Sequence, residues 1–212
     1  MRLFSDSIGR KVIMAITGLL MVLFVVGHLL GNMTIFKPGG INAYAEGLHK
    51  LVPVVWGNRI VMGLAVILHV IIAVQITLEN NAAKPDKYAV SRSLRATFAS
   101  KNMIWTGLAL GAFIAYHLLH FTFQVLGVNA HDLTVHGMVV VGLGGAIGAV
   151  YVIAMVALFL HLLHGIQSLF QTVGLSNAIM LPRYGIVGKV LSAVFLFGFG
   201  SIPVAVLIHF LN

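Results

Sequence analysis

The stretch 155-MVALFLHLLHGIQS-168 decides how the chain is read. Its apolar residues run on without the polar stripe that an amphipathic helix of a soluble protein carries. Yet it holds two histidines, His161 and His164, three residues apart. An ionisable side chain is costly in hydrocarbon, so within a membrane span it marks function by default. The rest of the chain must tell whether this helix lies in a membrane and whether its histidines have partners.

Composition answers the first point. Of 212 residues, 59% are hydrophobic and 8% charged, with a mean hydropathy of +1.02. A soluble domain is about half apolar and about a quarter charged. Too few polar side chains are present to cover a water-facing surface, which implies an all-α integral membrane protein. The apolar runs do not alternate with polar residues, which argues against a β-barrel. Cysteine is absent, excluding disulfides, zinc–thiolate sites and cysteine-ligated iron–sulfur clusters within the chain. A redox centre held here needs other ligands, and the ten histidines are the candidates. The net charge of +8 comes from basic residues in loops between apolar segments. Membrane topology explains it better than nucleic-acid binding.

Five segments are long enough to cross a bilayer: residues 12–30, 57–78, 103–126, 138–169 and 186–210. They are expected to form one bundle, a single membrane domain over 1–212. The fourth is too long for a simple crossing. Its glycine-rich start, 142-GLGGAIG-148, should pack closely on a neighbour or belong to an outer loop. Arg2, Arg10, Lys11, Lys84, Lys87, Arg92, Arg95, Lys101, Arg183 and Lys189 fall on one side, and only Lys37, Lys50 and Arg59 on the other. The positive-inside rule then makes the N-terminus cytoplasmic and the C-terminus external. No internal repeat is evident at this level.

Histidines occupy four of the five spans: His28, His69, the pair His117 and His120, and the pair His161 and His164. A rise of roughly 1.5 Å per residue sorts them by depth. From the cytoplasmic ends, His28 lies about 25 Å in, His117 about 24 Å and His120 about 28 Å. His69 and His161 lie about 15 Å in, and His164 about 10 Å. Two levels result, His28 with His117 and His69 with His161, with His120 and His164 as second choices. Zinc or copper needs three or four ligands at one depth. Two ligands at each of two depths suit two haems, whose irons take axial ligands from opposite faces. Gly18, Gly27 and Gly31 around His28, Gly63 before His69, and Gly107 and Gly111 before His117 leave helix surface free for a flat macrocycle. Glu46 and His49, in 43-AYAEGLHK-50 beside the outer level, are candidates for proton exchange with a quinone.

This arrangement resembles the five-helix, two-haem cytochrome b membrane subunit of succinate dehydrogenase and fumarate reductase, the succinate:quinone oxidoreductase family. The resemblance spans essentially the whole chain. It rests on the five spans, the cytoplasmic N-terminus, and mid-span histidines on the first four spans only. The segments that carry it are 18-GLLMVLFVVGHL-29, 67-ILHVIIAV-74, 106-TGLALGAFIAYH-117 and 161-HLLHGIQSLFQTVG-174. In the third and fourth the family's ligand position falls on His117 and His161. The resemblance implies two haems b and a quinone, usually menaquinone. It also implies an iron–sulfur subunit and a flavoprotein subunit carrying FAD, both on the cytoplasmic face of a bacterial or archaeal inner membrane. This chain then holds no dicarboxylate chemistry of its own. The cytochrome b subunit of a hydrogenase or formate dehydrogenase is the nearest rival. A transporter relaying protons through histidines calls for carboxylates within the spans, and Asp6, Glu46, Glu79, Asp86 and Asp132 all lie in loops or at span ends.

Overall fold

The structure is a computed structural model describing residues 6–83, 97–127 and 133–211. Arg2, Lys84, Asp86, Lys87, Arg92, Arg95, His131 and Asp132 lie outside the described residues, and much of the charge asymmetry rests on them. The described residues form helices and no strand. In chain order these are α1 (Ser7–Met33), α2 (Gly40–His49), α3 (Val52–Ala82), α4 (Phe98–Lys101), α5 (Met103–His117), α6 (Val135–Gly142), α7 (Gly145–Thr172) and α8 (Met180–Leu207). A 3-10 turn, Thr34–Phe36, follows α1, and a π-helical turn, Leu118–Thr122, extends α5. Five helical stretches are long and apolar enough to cross a membrane: Ser7–Phe36, Val52–Ala82, Met103–Thr122, Gly145–Thr172 and Met180–Leu207. The chain is a transmembrane helical bundle.

The five segments read from the sequence become these five helices, but their ends move. The second starts at Val52, with Pro53 in its first turn, where the missing N–H costs nothing. The fifth starts at Met180 because Asn177 Oδ1 accepts from the backbone N–H groups of Ile179 and Met180. The overlong fourth segment breaks at Gly144–Gly145. Gly144 is extended and Gly145 takes φ +56°, a left-handed value that glycine adopts without steric cost. The expected close packing is present there too. A Cβ on Gly148 would strike the Leu143 carbonyl oxygen and stand 3.2 Å from Leu207 Cγ on α8. The short α6 then lies over one end of the bundle, where Val139 and Leu143 join a core with Ile35, Ile41, Tyr151, Ile202 and Val206.

Helices α1, α3, α5 and α7 form a ring in which each packs against its two neighbours. Consequently α1 stands across the ring from α5, and α3 across from α7. Outside the ring, α8 lies along α7 and touches α1. Small residues allow that approach. Ser192 is fully buried and donates to the Gly188 carbonyl at 2.6 Å, while Gly188 rests on α7 at Leu163 and Ile166. The end of the bundle carrying Ser7, Ala82, Met103 and Thr172 is the near end here, and the opposite end the far end. At the near end Arg10 of α1 and Glu79 of α3 form a two-pronged ion pair, its Nη2–Oε2 limb 2.8 Å long.

Candidate functional site

The ring of helices brings the histidines of opposite helices together. Nearer the near end, the His69 ring on α3 and the His161 ring on α7 have centres 6.5 Å apart. Toward the far end, the rings of His28 on α1 and His117 on α5 have centres 6.0 Å apart. Both pairs span the ring diagonally, so the bundle's interior lies between their members. His120 is 2% exposed and belongs to the π-helical turn after His117. His164 stands one turn beyond His161, half-buried and outside both pairs.

Each near-level ring is oriented by the helix beside it. Thr17 Oγ1 donates to its own helix at the Ile13 carbonyl, 2.8 Å away, so its lone pairs face outward. His69 Nδ1 lies 3.2 Å from that oxygen and 3.1 Å from the Met14 carbonyl oxygen. Both partners accept, which assigns the proton to Nδ1 and the lone pair to Nε2. His161 repeats the arrangement on α5. Its Nδ1 lies 3.2 Å from Thr106 Oγ1, and Thr106 donates to Asn102 and Met103 carbonyls at 3.1 Å. Next to each threonine is a glycine that admits the ring. A Cβ on Gly18 would sit 3.3 Å from His69 Cε1, and one on Gly107 3.2 Å from His161 Cε1.

This symmetry exposes an internal repeat where none was expected. Residues 14-MAITGLLMVLFVVGH-28 and 103-MIWTGLALGAFIAYH-117 align without a gap, sharing Met, Thr, Gly, Leu, Phe and His. The shared phenylalanines do the same work. Phe24 stacks on His28 at 5.3 Å between ring centres, and Phe113 lies against His117 at 5.8 Å. Residues 65-AVILHVIIAVQ-75 and 157-ALFLHLLHGIQ-167 continue it, sharing Ala, Leu, His and Gln. The α1–α3 hairpin and the α5–α7 hairpin thus place their histidines on one shared pattern.

The far level departs from this symmetry. Tyr151 of α7 places its hydroxyl 3.3 Å from His117 Nδ1 and 2.9 Å from His120 Nδ1. Among the described residues His28 has no such partner. Instead the Asn32 amide lies 3.4 Å from both of its ring nitrogens and donates to the His28 carbonyl at 2.8 Å. Phe199 of α8 also lies against it, with ring centres 5.7 Å apart.

The separation of the opposed rings suits a haem held between them. A bound imidazole nitrogen sits about 2.0 Å from its metal, and roughly 1.1 Å more reaches the ring centre, so two imidazoles on opposite faces of one metal would have centres about 6.2 Å apart. The observed 6.0 and 6.5 Å lie on either side of that value. Among the described residues no three His, Asp or Glu side chains converge on one point, as a zinc or copper site requires. Arg10 contributes a further fit at the near end. Its Nε is buried and has no hydrogen-bond partner among the described residues, a donor that a carboxylate would satisfy.

The other residues singled out in the sequence are placed as follows. Glu46 and His49 lie exposed on α2, where Glu46 pairs with Lys50 at 2.8 Å. Helix α2 sits beside the far level because Tyr44 packs into the notch left by Gly31, where a Cβ would come within 2.5 Å of its ring. Gly31 therefore serves a helix contact rather than a free surface next to His28. A Cβ on Gly27, Gly63 or Gly111 would meet nothing within 4 Å. Thr17, Thr106 and Tyr151 went unread as site residues, and the repeated Met-x-x-Thr-Gly was the signal for the first two. Comparison with protein-family models, with curated proteins and with solved structures returns no match.

Proposed function

We propose that the chain is a di-haem cytochrome b membrane anchor. It passes electrons between the iron–sulfur subunit of a succinate dehydrogenase or fumarate reductase and a membrane quinone. The observation that carries this reading is the pair of diagonally opposed histidine couples at ring-centre distances of 6.0 and 6.5 Å. His69 and His161 hold the near haem, His28 and His117 the far one. When bound, a haem with two histidine ligands supplies a one-electron carrier with no open position for substrate.

The protein's own residues prepare that binding. Thr17 with the Met14 carbonyl, and Thr106, hold protons on the Nδ1 atoms of His69 and His161 and so present bare Nε2 lone pairs. Gly18 and Gly107 let both rings come close to α1 and α5. Arg10 Nε is the donor for a propionate at the near end. In this reading the near end is cytoplasmic, in a bacterial or archaeal inner membrane. The iron–sulfur and flavoprotein subunits dock there, with FAD and the clusters confined to them. Menaquinone is the expected quinone, and Glu46 and His49, on the exposed α2, are the groups proposed for its proton exchange at the far end.

The test is a pyridine haemochrome count on the purified chain, with reduced-minus-oxidised spectra of variants. Two haems b per chain are expected, with one lost in His69→Ala and in His161→Ala, and the other in His28→Ala and in His117→Ala. No haem in the unaltered chain would refute the reading. Adding succinate, hydrogen or formate to native membranes then identifies the partner. Haem reduction by succinate supports the dehydrogenase assignment, whereas reduction by hydrogen or formate alone moves the chain to a different respiratory complex.

A further inference from the structure

Among the described residues His120 is the least exposed histidine, and it belongs to neither of the facing couples. It is 2% exposed, and its π-helical turn is a local departure of the kind that often accompanies function. Its Nδ1 meets the Tyr151 hydroxyl at 2.9 Å, and that oxygen lies 3.3 Å from His117 Nδ1. Three aromatic side chains wall the group. Tyr116 and Phe121 lie against His120 at 5.3 and 4.2 Å between ring centres, and Phe113 against Tyr151 at 5.0 Å.

A phenol has one proton and accepts through its lone pairs. With two imidazole nitrogens beside it, Tyr151 can donate to only one. We propose that His120 takes that proton and thereby makes Tyr151 an acceptor toward His117. His120 and Tyr151 are then the positioning residues that set the tautomer and ring orientation of the far-level ligand. This inference rests on the two-haem reading of the same site. The shorter contact, to His120, is the one in which the phenol donates, and the longer one, to His117, the one in which it accepts. Nδ1 of His117 then carries its proton and Nε2 is left bare toward His28. Without His120 the hydroxyl is free to turn and donate to His117 Nδ1. That moves the His117 proton to Nε2 and blocks ligation. The near level needs no such device, because a backbone carbonyl, which cannot donate, stands beside each ring: that of Met14 beside His69 and that of Met103 beside His161.

Three variants of the full chain, Tyr151→Phe, His120→Leu and His120→Gln, test the assignment. Loss of an orienting partner typically weakens metal binding about 10- to 100-fold. The first two variants should therefore release far-level haem to a scavenging apomyoglobin about 10- to 100-fold more readily. The far-level low-spin electron paramagnetic resonance signal should shift, while the near-level signal stays unchanged. His120→Gln should restore both, since its amide oxygen still takes the tyrosine proton. Unchanged far-level haem in Tyr151→Phe overturns the proposal. So does equal loss at both levels, which marks damage to the fold, or a glutamine variant as defective as the leucine one. A nitrogen-15 histidine spectrum of the haem-free chain gives a second readout. His117 should carry its proton on Nδ1 in the unaltered chain and lose that preference in His120→Leu; no difference between them overturns the proposal. Absence of haem from the unaltered chain is a separate result, which strikes the two-haem reading itself.

Discussion

Gly107→Ala is the most economical perturbation of the near level. A Cβ at that position would stand 3.2 Å from His161 Cε1, so the ring must yield by a few tenths of an ångström. It has little room to do so. Its Nδ1 is held by Thr106, one residue from the new methyl group, and His69 lies across the ring of helices, 6.5 Å away between ring centres. Overpacking of a well-filled site costs about 1–3 kcal/mol. At about 1.4 kcal/mol per factor of ten, near-level haem should be held roughly 5- to 150-fold more weakly. The helix itself gains, because alanine is favoured over glycine by about 1 kcal/mol in a helix interior. The haem-free chain should therefore lose no more than about 2 kcal/mol of stability while one haem is lost, which separates a local clash from general damage. Gly18→Ala should act alike on His69, and slightly less, at 3.3 Å. Gly57→Ala, where the added methyl meets nothing within 4 Å, serves as the control. The assay is haem retention per chain after incubation with a scavenger, with a redox titration to assign the remaining haem. Full near-level retention in both variants, or selective loss of the far haem, would refute the reasoning.

Three further outcomes follow from the packing. Glu79→Ala leaves the Arg10 guanidinium largely buried without its counter-charge, whereas Arg10→Ala removes the charge. The glutamate variant should be the less stable, by about 1–2 kcal/mol because Glu79 is half-exposed, and a double-mutant cycle read by thermal denaturation in detergent checks it. Ser192→Leu forces a large side chain into the fully buried α7–α8 contact and should cost about 1–3 kcal/mol of stability, read by denaturation, yet leave haem content unchanged at low temperature, since α8 carries none of the proposed ligands. Gly31→Ala should expel the Tyr44 ring and free α2, seen as faster hydrogen exchange over Gly40–His49. Tyr44→Ala removes the same anchor, so it should free α2 alike, and the double variant should add nothing further.

The number of spans was legible because bilayer thickness sets helix length, and composition alone reports it. Their ends were not, because they depend on single caps: Asn177 at the start of α8, the left-handed Gly145 between α6 and α7. The diagonal couples were legible too, since depth along a helix follows from residue count. Counting matched His28 with His117 and His69 with His161, and these are the rings that face one another. The orienting residues were hidden for a physical reason. A threonine in a membrane helix normally satisfies its hydroxyl on its own backbone, as Thr17 and Thr106 do, so its remaining lone pairs give no local sign. Their partners lie 52 and 55 residues away, a separation set by how the hairpins pack. The repeat could have disclosed them, but its first half shares only six scattered residues, too few to stand out against two apolar helices.

That repeat explains why there are two levels with two histidines each. One hairpin carries a histidine toward the far end of its first helix and another toward the near end of its second. Alone it offers one histidine per level. A second copy, placed across the ring, brings His117 opposite His28 and His161 opposite His69, so both levels close only when the hairpins meet. Copying does not make the levels equivalent. At the positions where the second hairpin has His120 and Tyr151, the first has Gly31 and Arg59. Gly31 is occupied by Tyr44, and Arg59 lies over Trp56, 5.1 Å from its ring centre, so neither serves His28. The near level keeps the symmetric threonine–glycine support on both sides, whereas the far level has a phenol–imidazole chain on one ligand and an asparagine on the other. The two halves differ around His28 and His117, and it is there that substitutions at matching positions of the two halves should affect the proposed far haem unequally.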